Sequence, residues 1–566
     1  MKRYIHRFIP VIIMGTGMAL FLPVLQGGFF LDDYYHLLVL EGGWGISDAG
    51  VFDLFTFAEG RPDRMGPVQG DFLPWWAADD LRIDFFRPLC CLLHAVDHQV
   101  HGKDPTGYHW TNLLLWGVLL GVVALFYRRL GGKTGSGPAT ALVAGMFFAV
   151  SEIHVVSVFW PASRPVLLGV MFITASLFSY HRYRSGGGMR HLVTSSVVLA
   201  AGLFANESVT SVVSWVAAYE LCLGRGSVRH RVRCGLPLVL ITVVYLVFYT
   251  LSGHGVHATG AYTMPFSEPV NFLETAFTDR IPRMLVAVLT LVRVDSMSWV
   301  IWLVGASCIL VLLPHLMRDR VARFMGIGAV LSLVPLASAD VADRVLSLPI
   351  LGTAWVLGSC VVATVSAVRA KSCRRNAWRW PGFLIALLIV VVHGLISPCR
   401  VPGTIRGISA YSDVMLQSAL TAEMPAAGLE EARVLLLTTP DTHLATFFPA
   451  VRAAAGLPMP GGVWPITTRS GGCTISCAGP GALVMKAESP GFLSSKWARL
   501  FRREMALAAG ATFTRGALKV TVNTVERGEI REIRVETDCP MDDPGVWLLV
   551  WRDGKWRRLE TAGHDS

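Results

Sequence analysis

The chain has 566 residues, 53% of them hydrophobic and only 16% charged. That is too few charges to solvate a soluble protein of this length, and it fits a polytopic membrane protein. The formal net charge of +10 sits in short loops between apolar runs, the pattern that orients membrane proteins, which argues against nucleic-acid binding.

In chain order, residues 8–26 form an apolar run behind Lys2, Arg3, His6 and Arg7. No small-residue cleavage site follows, so it reads as a retained anchor. Residues 27–107 are a large polar loop, acidic over 31–84. Within it, 85–101 is apolar but interrupted by Arg87, His94, Asp97 and His98, the pattern of an interfacial or re-entrant helix. Further spans are expected at 108–127, 137–160, 165–181, 190–206, 207–223, 234–252, 296–314, 322–339, 344–368 and 380–397. With the first run this makes about eleven membrane helices, judged by run length.

Five basic loops test the threading. They carry Arg128, Arg129 and Lys133; Arg182, Arg184 and Arg190; Arg225, Arg229, Arg231 and Arg233; Arg318, Arg320 and Arg323; and Arg369, Lys371, Arg374, Arg375 and Arg379. From a cytoplasmic N-terminus all five fall inside, as the positive-inside rule requires. The acidic loop and the last part of the chain fall outside. The domains are therefore 1–398, a transmembrane domain with the large first outer loop 27–107, and 399–566, a small mixed α/β domain. Strand-like runs in the latter include 433–437, 531–537 and 546–551. Cys473, Cys477 and Cys539 are candidates for a disulfide there. No zinc-like cysteine pairing is present, and His94, His98, His101 and His109 lack a supporting carboxylate set. No metal site and no cofactor are predicted, and a divalent cation has no support.

The threading gathers polar groups at one membrane face: Asp32 and Asp33, Arg87, His109, Asn112, Glu152, His154, Arg164, Asn206, Glu207, Asp343 and Arg344. Ionisable groups at membrane depth are costly and mark sites or wet cavities. An acid pair suits a general base, and arginine forks suit phosphate oxygens.

These residues also carry a resemblance. Phe86-Arg87-Pro88, Asp97, Gly107-Tyr108-His109 and Asn112-Leu113-Leu114 resemble the Arg-Pro and Gly-Tyr-His-x-x-Asn-Leu-Leu region of polytopic GT-C glycosyltransferases. They resemble in particular bacterial relatives of the transmembrane O-mannosyltransferases that carry TPR repeats. Asp32-Asp33 resembles the acidic pair of that family's first outer loop. Phe148-Ala149, Ile153-His154 and Trp160 to Arg164 resemble its hairpin. Asn206-Glu207-Ser208 and Asp343-Arg344-Val345-Leu346-Ser347-Leu348-Pro349 resemble two later segments. The likeness covers roughly 25–360. The family's His-Pro is Ser151-Glu152 here, its Lys is Asn206, and residues 400–566 stand where its repeats would be.

The resemblance implies an α-helical GT-C-like membrane glycosyltransferase. It would move a sugar from a polyprenyl-phosphate carrier to an extracytoplasmic acceptor, whether protein, lipid or glycan. Asp32 and Asp33 are the expected catalytic acids, Asp32 first. Arg344, Arg164 and Arg87 are the expected donor-phosphate ligands. His109, Asn112, Glu152, His154, Glu207 and Asp343 are further site candidates. The expected partners are the lipid-linked sugar and membrane lipid. The expected location is a bacterial inner membrane, with the site on the periplasmic side. The alternative is a non-catalytic membrane protein, a transporter or a lapsed relative in envelope glycan assembly.

Overall fold

A computed structural model describes residues 2–42, 49–60, 64–65, 68–69, 73–132, 135–293, 295, 298–369, 379–425, 427–469 and 471–559. Lys133, Lys371, Arg374 and Arg375 of the basic loops and Asp48, Asp63 and Asp71 of the acidic loop lie outside these residues.

Among the described residues, seven helices are long and apolar enough to cross a membrane: Phe8–Gln26, Pro105–Gly131, Pro161–Gly187, Val228–Leu251, Trp299–Arg318, Pro349–Val368 and Pro381–Leu420. The pair Gly137–Ala149 and Glu152–Phe159, bent by 44°, makes an eighth if it is counted as one span. The other three expected spans are helical but shorter. Met189–Leu203 has 15 residues, Arg320–Leu336 has 17, and the segment after Asn206 is a 3-10 turn, Glu207–Ser211, followed by Val212–Cys222. Fifteen residues reach only about 23 Å, less than the roughly 30 Å of a hydrocarbon core.

Local chemistry sets the starts of these helices. Asp104 accepts from Thr106 N ahead of Pro105, Ser227 accepts from His230 N, and Asp319 accepts from Val321 and Ala322 N. Each satisfies amides that the helix cannot bond internally. Small residues set the packing. A methyl on Gly352 would strike the Met325 carbonyl, and one on Gly358 would lie 2.8 Å from Ala144 N. Close backbone approach of this kind is the usual basis of helix association in lipid.

The helices share a polarity. Val228–Leu251 starts near Arg184, whose guanidinium bonds Glu220 and the Arg225 carbonyl, and Arg320 starts the next helix against the Cys222 carbonyl. The opposite ends, at Tyr249 and Leu336, open into a large cavity. The basic loops of this group and the cavity therefore occupy opposite ends of the bundle.

The expected interfacial helix is Pro88–His101. It buries Cys90, Cys91, His94 and Asp97 and exposes Leu92, Val96 and Val100, one apolar stripe at i, i+4, i+8. Strands Thr56–Glu59 and Arg82–Asp84 of the first outer loop pair with each other, and Arg82–Asp84 also pairs with Gly255–His257.

The last helix runs unbroken through residue 398, from Pro381 to Leu420, so the chain enters its C-terminal part along one rod. That part holds two sheets. One orders Lys555–Arg558, Val546–Arg552, Arg433–Leu436 and Gly462–Pro465, with helix Thr442–Ala454 crossing between the two parallel strands that end it. The other is antiparallel, in the order Thr512–Arg515, Leu518–Glu526, Glu529–Thr537, Ala482–Ala487 and Cys473–Cys477. The expected disulfide is absent: Cys473, Cys477 and Cys539 are free thiols. Four residues apart on one strand, Cys473 and Cys477 lie about 13 Å from each other, beyond a disulfide's reach.

The two parts share a core. Trp75 and Trp76 are fully buried, and their indoles donate to the Ile466 carbonyl at 2.9 Å and the Ala498 carbonyl at 3.2 Å. Helix Asp32–Glu41 packs on helix Thr442–Ala454.

Candidate active site

The chain leaves the first membrane helix through Gly27-Gly28 and turns sharply at Leu31. That residue has φ 48° and ψ −116°, a conformation L side chains rarely adopt, and such outliers cluster at functional sites. The helix Asp32–Glu41 begins at once, and its two leading acids diverge. Asp33 is buried and accepts from Phe30 N at 2.9 Å and Ala162 N at 2.7 Å. It joins the first outer loop to the turn after Trp160 and faces away from the large cavity. Asp32, half-buried, lines that cavity.

The cavity measures about 1780 Å³. Of the candidate residues it gathers Asp32, Arg87, Glu207, Asp343 and Arg344. Arg87 grips Glu207 through two bonds of 2.9 and 2.5 Å and lies over the Phe85 ring, 4.3 Å from its centroid. Burial raises the Glu207 carboxyl, and the Arg87 guanidinium more than reverses it, leaving the acid below its usual range. Asp343 is held by Arg293 at 2.5–3.0 Å. Arg344 has no carboxylate partner among the described residues and lies 5.2 Å from the Trp160 ring centroid. Its fork is thus open toward the cavity. Burial pushes the Asp32 carboxyl up to about 6, against the opposing fields of Arg344 and Arg87. A carboxylate so placed is a competent base near neutral pH.

Six candidates lie elsewhere. Asp33 is committed to backbone amides, as above. Arg164 is fully buried, with Nε donating to Asn112 at 2.9 Å and Nη2 to Asp97 at 2.6 Å. An arginine spent on an internal pair is not free for phosphate, and this corrects the expectation for Arg164. Asn112 also donates to the Val158 carbonyl at 3.2 Å, so it braces the hairpin. His109 contacts the Gly28 carbonyl at 3.3 Å beneath the exit turn. His154 is enclosed by Trp116 and Phe148, with ring centroids 4.7 and 4.5 Å away. Glu152 pairs with Arg400 at 3.0 Å. These five residues hold the hairpin in shape behind the cavity wall.

Part of the wall comes from residues the sequence did not single out. Tyr411, on the long last helix, donates to both Asp441 oxygens at 2.8 Å. His443 follows on helix Thr442–Ala454 and packs on Trp497 at 4.5 Å. Burial lowers the His443 ring to about 4, with the Arg344 field assisting, so it is neutral near pH 7. These groups belong to no recurring motif and are far apart in the chain, with His443 more than 50 positions before Lys496 and Trp497. Among the described residues no three His, Cys, Asp or Glu side chains converge to hold a metal ion.

No family model matches the chain. The curated relatives include the protein O-mannosyl-transferase tmtc2 of Xenopus laevis, 31% identical over 142 residues, which are 24% of this chain and 16% of that protein. They also include the protein O-mannosyl-transferase Tmtc1 of Drosophila melanogaster, 29% identical over 205 residues, 35% of this chain and 21% of that one. The match thus spans about a fifth or less of these relatives' length. Among solved structures, ArnT from Cupriavidus metallidurans bound to undecaprenyl phosphate gives a TM-score of 0.38 at 12% identity, covering 79% of this chain and 85% of that one. The oligosaccharyltransferase AglB from Archaeoglobus fulgidus, in complex with an inhibitory peptide and a dolichol-phosphate, gives 0.43 at 10% identity, covering 79% and 64%. The chain is similar in sequence, over a quarter to a third of its length, to the TMTC protein O-mannosyl-transferases.

Proposed function

We propose that the protein is a membrane glycosyltransferase that moves a sugar from a polyprenyl-phosphate carrier to an acceptor hydroxyl on the non-cytoplasmic side. The observation that carries this reading is the pairing of Asp32 with an open Arg344 in one cavity at the end of the helix bundle opposite its basic loops. A donor with a lipid tail and an anionic head needs such a place: apolar helix ends for the tail, a cation for the phosphate, and an acid beyond it.

The chemistry follows from that arrangement. Asp32 takes the proton from the acceptor hydroxyl as its oxygen attacks the anomeric carbon. The bond from that carbon to the phosphate oxygen breaks, and the carrier phosphate leaves with the electron pair. Arg344 donates its fork to the charge that develops there. Arg87 is held by Glu207, so its role is to set the field at Asp32 and brace the loop. Asp343 plays the same part for Arg293.

Two variants test the division of labour. Asp32→Asn keeps shape and loses basicity, and it is expected to cost about 10²–10⁴ in transfer rate while polyprenyl phosphate still co-purifies. Arg344→Ala is expected to lose that lipid, read by mass spectrometry. Near-normal transfer by purified Asp32→Asn, or full lipid retention by Arg344→Ala, would overturn the reading.

A further inference from the structure

Residues Lys496–Leu500 form a single 3-10 turn in the C-terminal part. Its backbone is held from two sides. Trp76 donates to the Ala498 carbonyl, Gly260 N donates to the Arg499 carbonyl at 2.7 Å, and Arg503 N donates to the Ala258 carbonyl at 3.0 Å. Arg502 adds bonds to the Trp76 and Ala77 carbonyls. The turn is thus strapped between the first outer loop and the loop after Val228–Leu251.

Its side chains are as free as its backbone is fixed. Lys496, Trp497 and Arg499 are all exposed, and all line the cavity that holds Asp32 and Arg344. Arg499 has no carboxylate partner among the described residues. The nearest to Lys496 is the exposed Asp295, at 3.8 Å. Trp497 is 40% exposed. An indole left open on a rigid segment forgoes burial worth on the order of 1 kcal/mol or more, and exposed aromatics flanked by cations mark recognition surfaces. The lysine ammonium lies 5.2 Å from the indole centroid, so ring and charge are presented together. His443 touches Trp497 and feels the Arg344 field, which ties this wall to the proposed reaction centre.

We infer that the Lys496–Leu500 turn is the acceptor subsite and that the acceptor is an anionic saccharide. Its ring lies against Trp497, and its carboxylate or phosphate meets Lys496 and Arg499. A peptide acceptor is less suited, since the Trp497 and Ala498 amides are already bonded to Ser495. The term acceptor rests on the transferase reading; the binding claim stands apart from it.

The test titrates the full chain in nanodiscs of neutral lipid with three probes: trigalacturonate, glucose 6-phosphate and uncharged maltotriose, read by saturation-transfer NMR. One of the anionic probes is expected to bind about tenfold more tightly than maltotriose. Trp497→Ala, and Lys496→Ala with Arg499→Ala, are each expected to weaken it about tenfold. Trp497→Tyr keeps a ring and is expected to retain most of the binding. Preference for trigalacturonate assigns a sugar acid, and preference for glucose 6-phosphate assigns a phosphorylated sugar. Equal binding of maltotriose, no loss in a Trp497→Ala protein of unchanged melting temperature, or Trp497-dependent binding only to anionic vesicles or to a short peptide would overturn the inference. Co-purified carrier lipid is measured in the same samples, so failure of the donor reading shows there and not in the saccharide titration.

Discussion

Asp32 and Asp33 are adjacent in the chain and differ in every physical respect that bears on chemistry. Asp33 spends both oxygens on backbone amides, while Asp32 faces a cavity with two arginine fields upon it. In the proposed role of base, Asp32 must be ionised to act. Since burial raises its carboxyl from 3.8 to about 6, transfer is expected to fall as pH drops through about 6, where an ordinary aspartate would stay active to pH 4. Arg344 lowers this value, so Arg344→Ala is expected to move the acid limb upward while also slowing transfer. A pH–rate profile of the two proteins checks both signs, and an acid limb left near pH 4 contradicts the role. Residues 32, 87, 207, 343 and 344 stand out in the sequence as costly charges at helix ends, and the structure places them along one cavity. Arg164 was misread for a physical reason. Its partner Asp97 is 67 positions away, and an arginine aimed inward looks the same in one dimension as one aimed at a ligand.

Helix Pro349–Arg369 follows Arg344 directly and fixes the height of its guanidinium against the rest of the bundle. Gly352 lets it press on Arg320–Leu336, beside Trp215. Gly352→Leu forces side-chain bulk into backbone and is expected to destabilise by about 1–3 kcal/mol. A lower melting temperature in detergent would register it, and an unchanged one would show the contact to be loose. Long apolar runs announced these helices, whereas three further expected spans are helical but shorter than expected, since an apolar run does not fix where a helix breaks. The wall formed by Tyr411, Asp441, His443 and Trp497 was not foreseen. It is assembled by a helix rod, a strand-to-helix crossover and a strapped turn, whose convergence is a property of tertiary packing with no local pattern to read.

At the scale of the whole molecule, the described loops with Arg184, Arg225 and Arg320 sit at the end of the bundle opposite the cavity, and the positive-inside rule predicts one orientation from this, with the cavity on the non-cytoplasmic side. Cysteine placed at Gly528, in the exposed hairpin turn of the C-terminal sheet, is expected to label only from the non-cytoplasmic side, and cysteine at Arg229 only from the cytoplasm. Reversed or two-sided labelling would reject the orientation. A chain ended at 398 would strip Trp75 and Trp76 of the Ile466 and Ala498 carbonyls and of their apolar cover. Such a truncation is expected to aggregate or be degraded, and a monodisperse, folded product would show the outer loop to be self-sufficient. The same two tryptophans also bear on biosynthesis. Their partners are synthesised 391 and 422 residues later, on the order of tens of seconds at ribosomal speed. Until residues 466 and 498 have been made, the two indoles lack their carbonyl acceptors and their apolar cover. The outer-loop core is therefore expected to close only after residues 466 and 498 have been made and have reached the same side of the membrane.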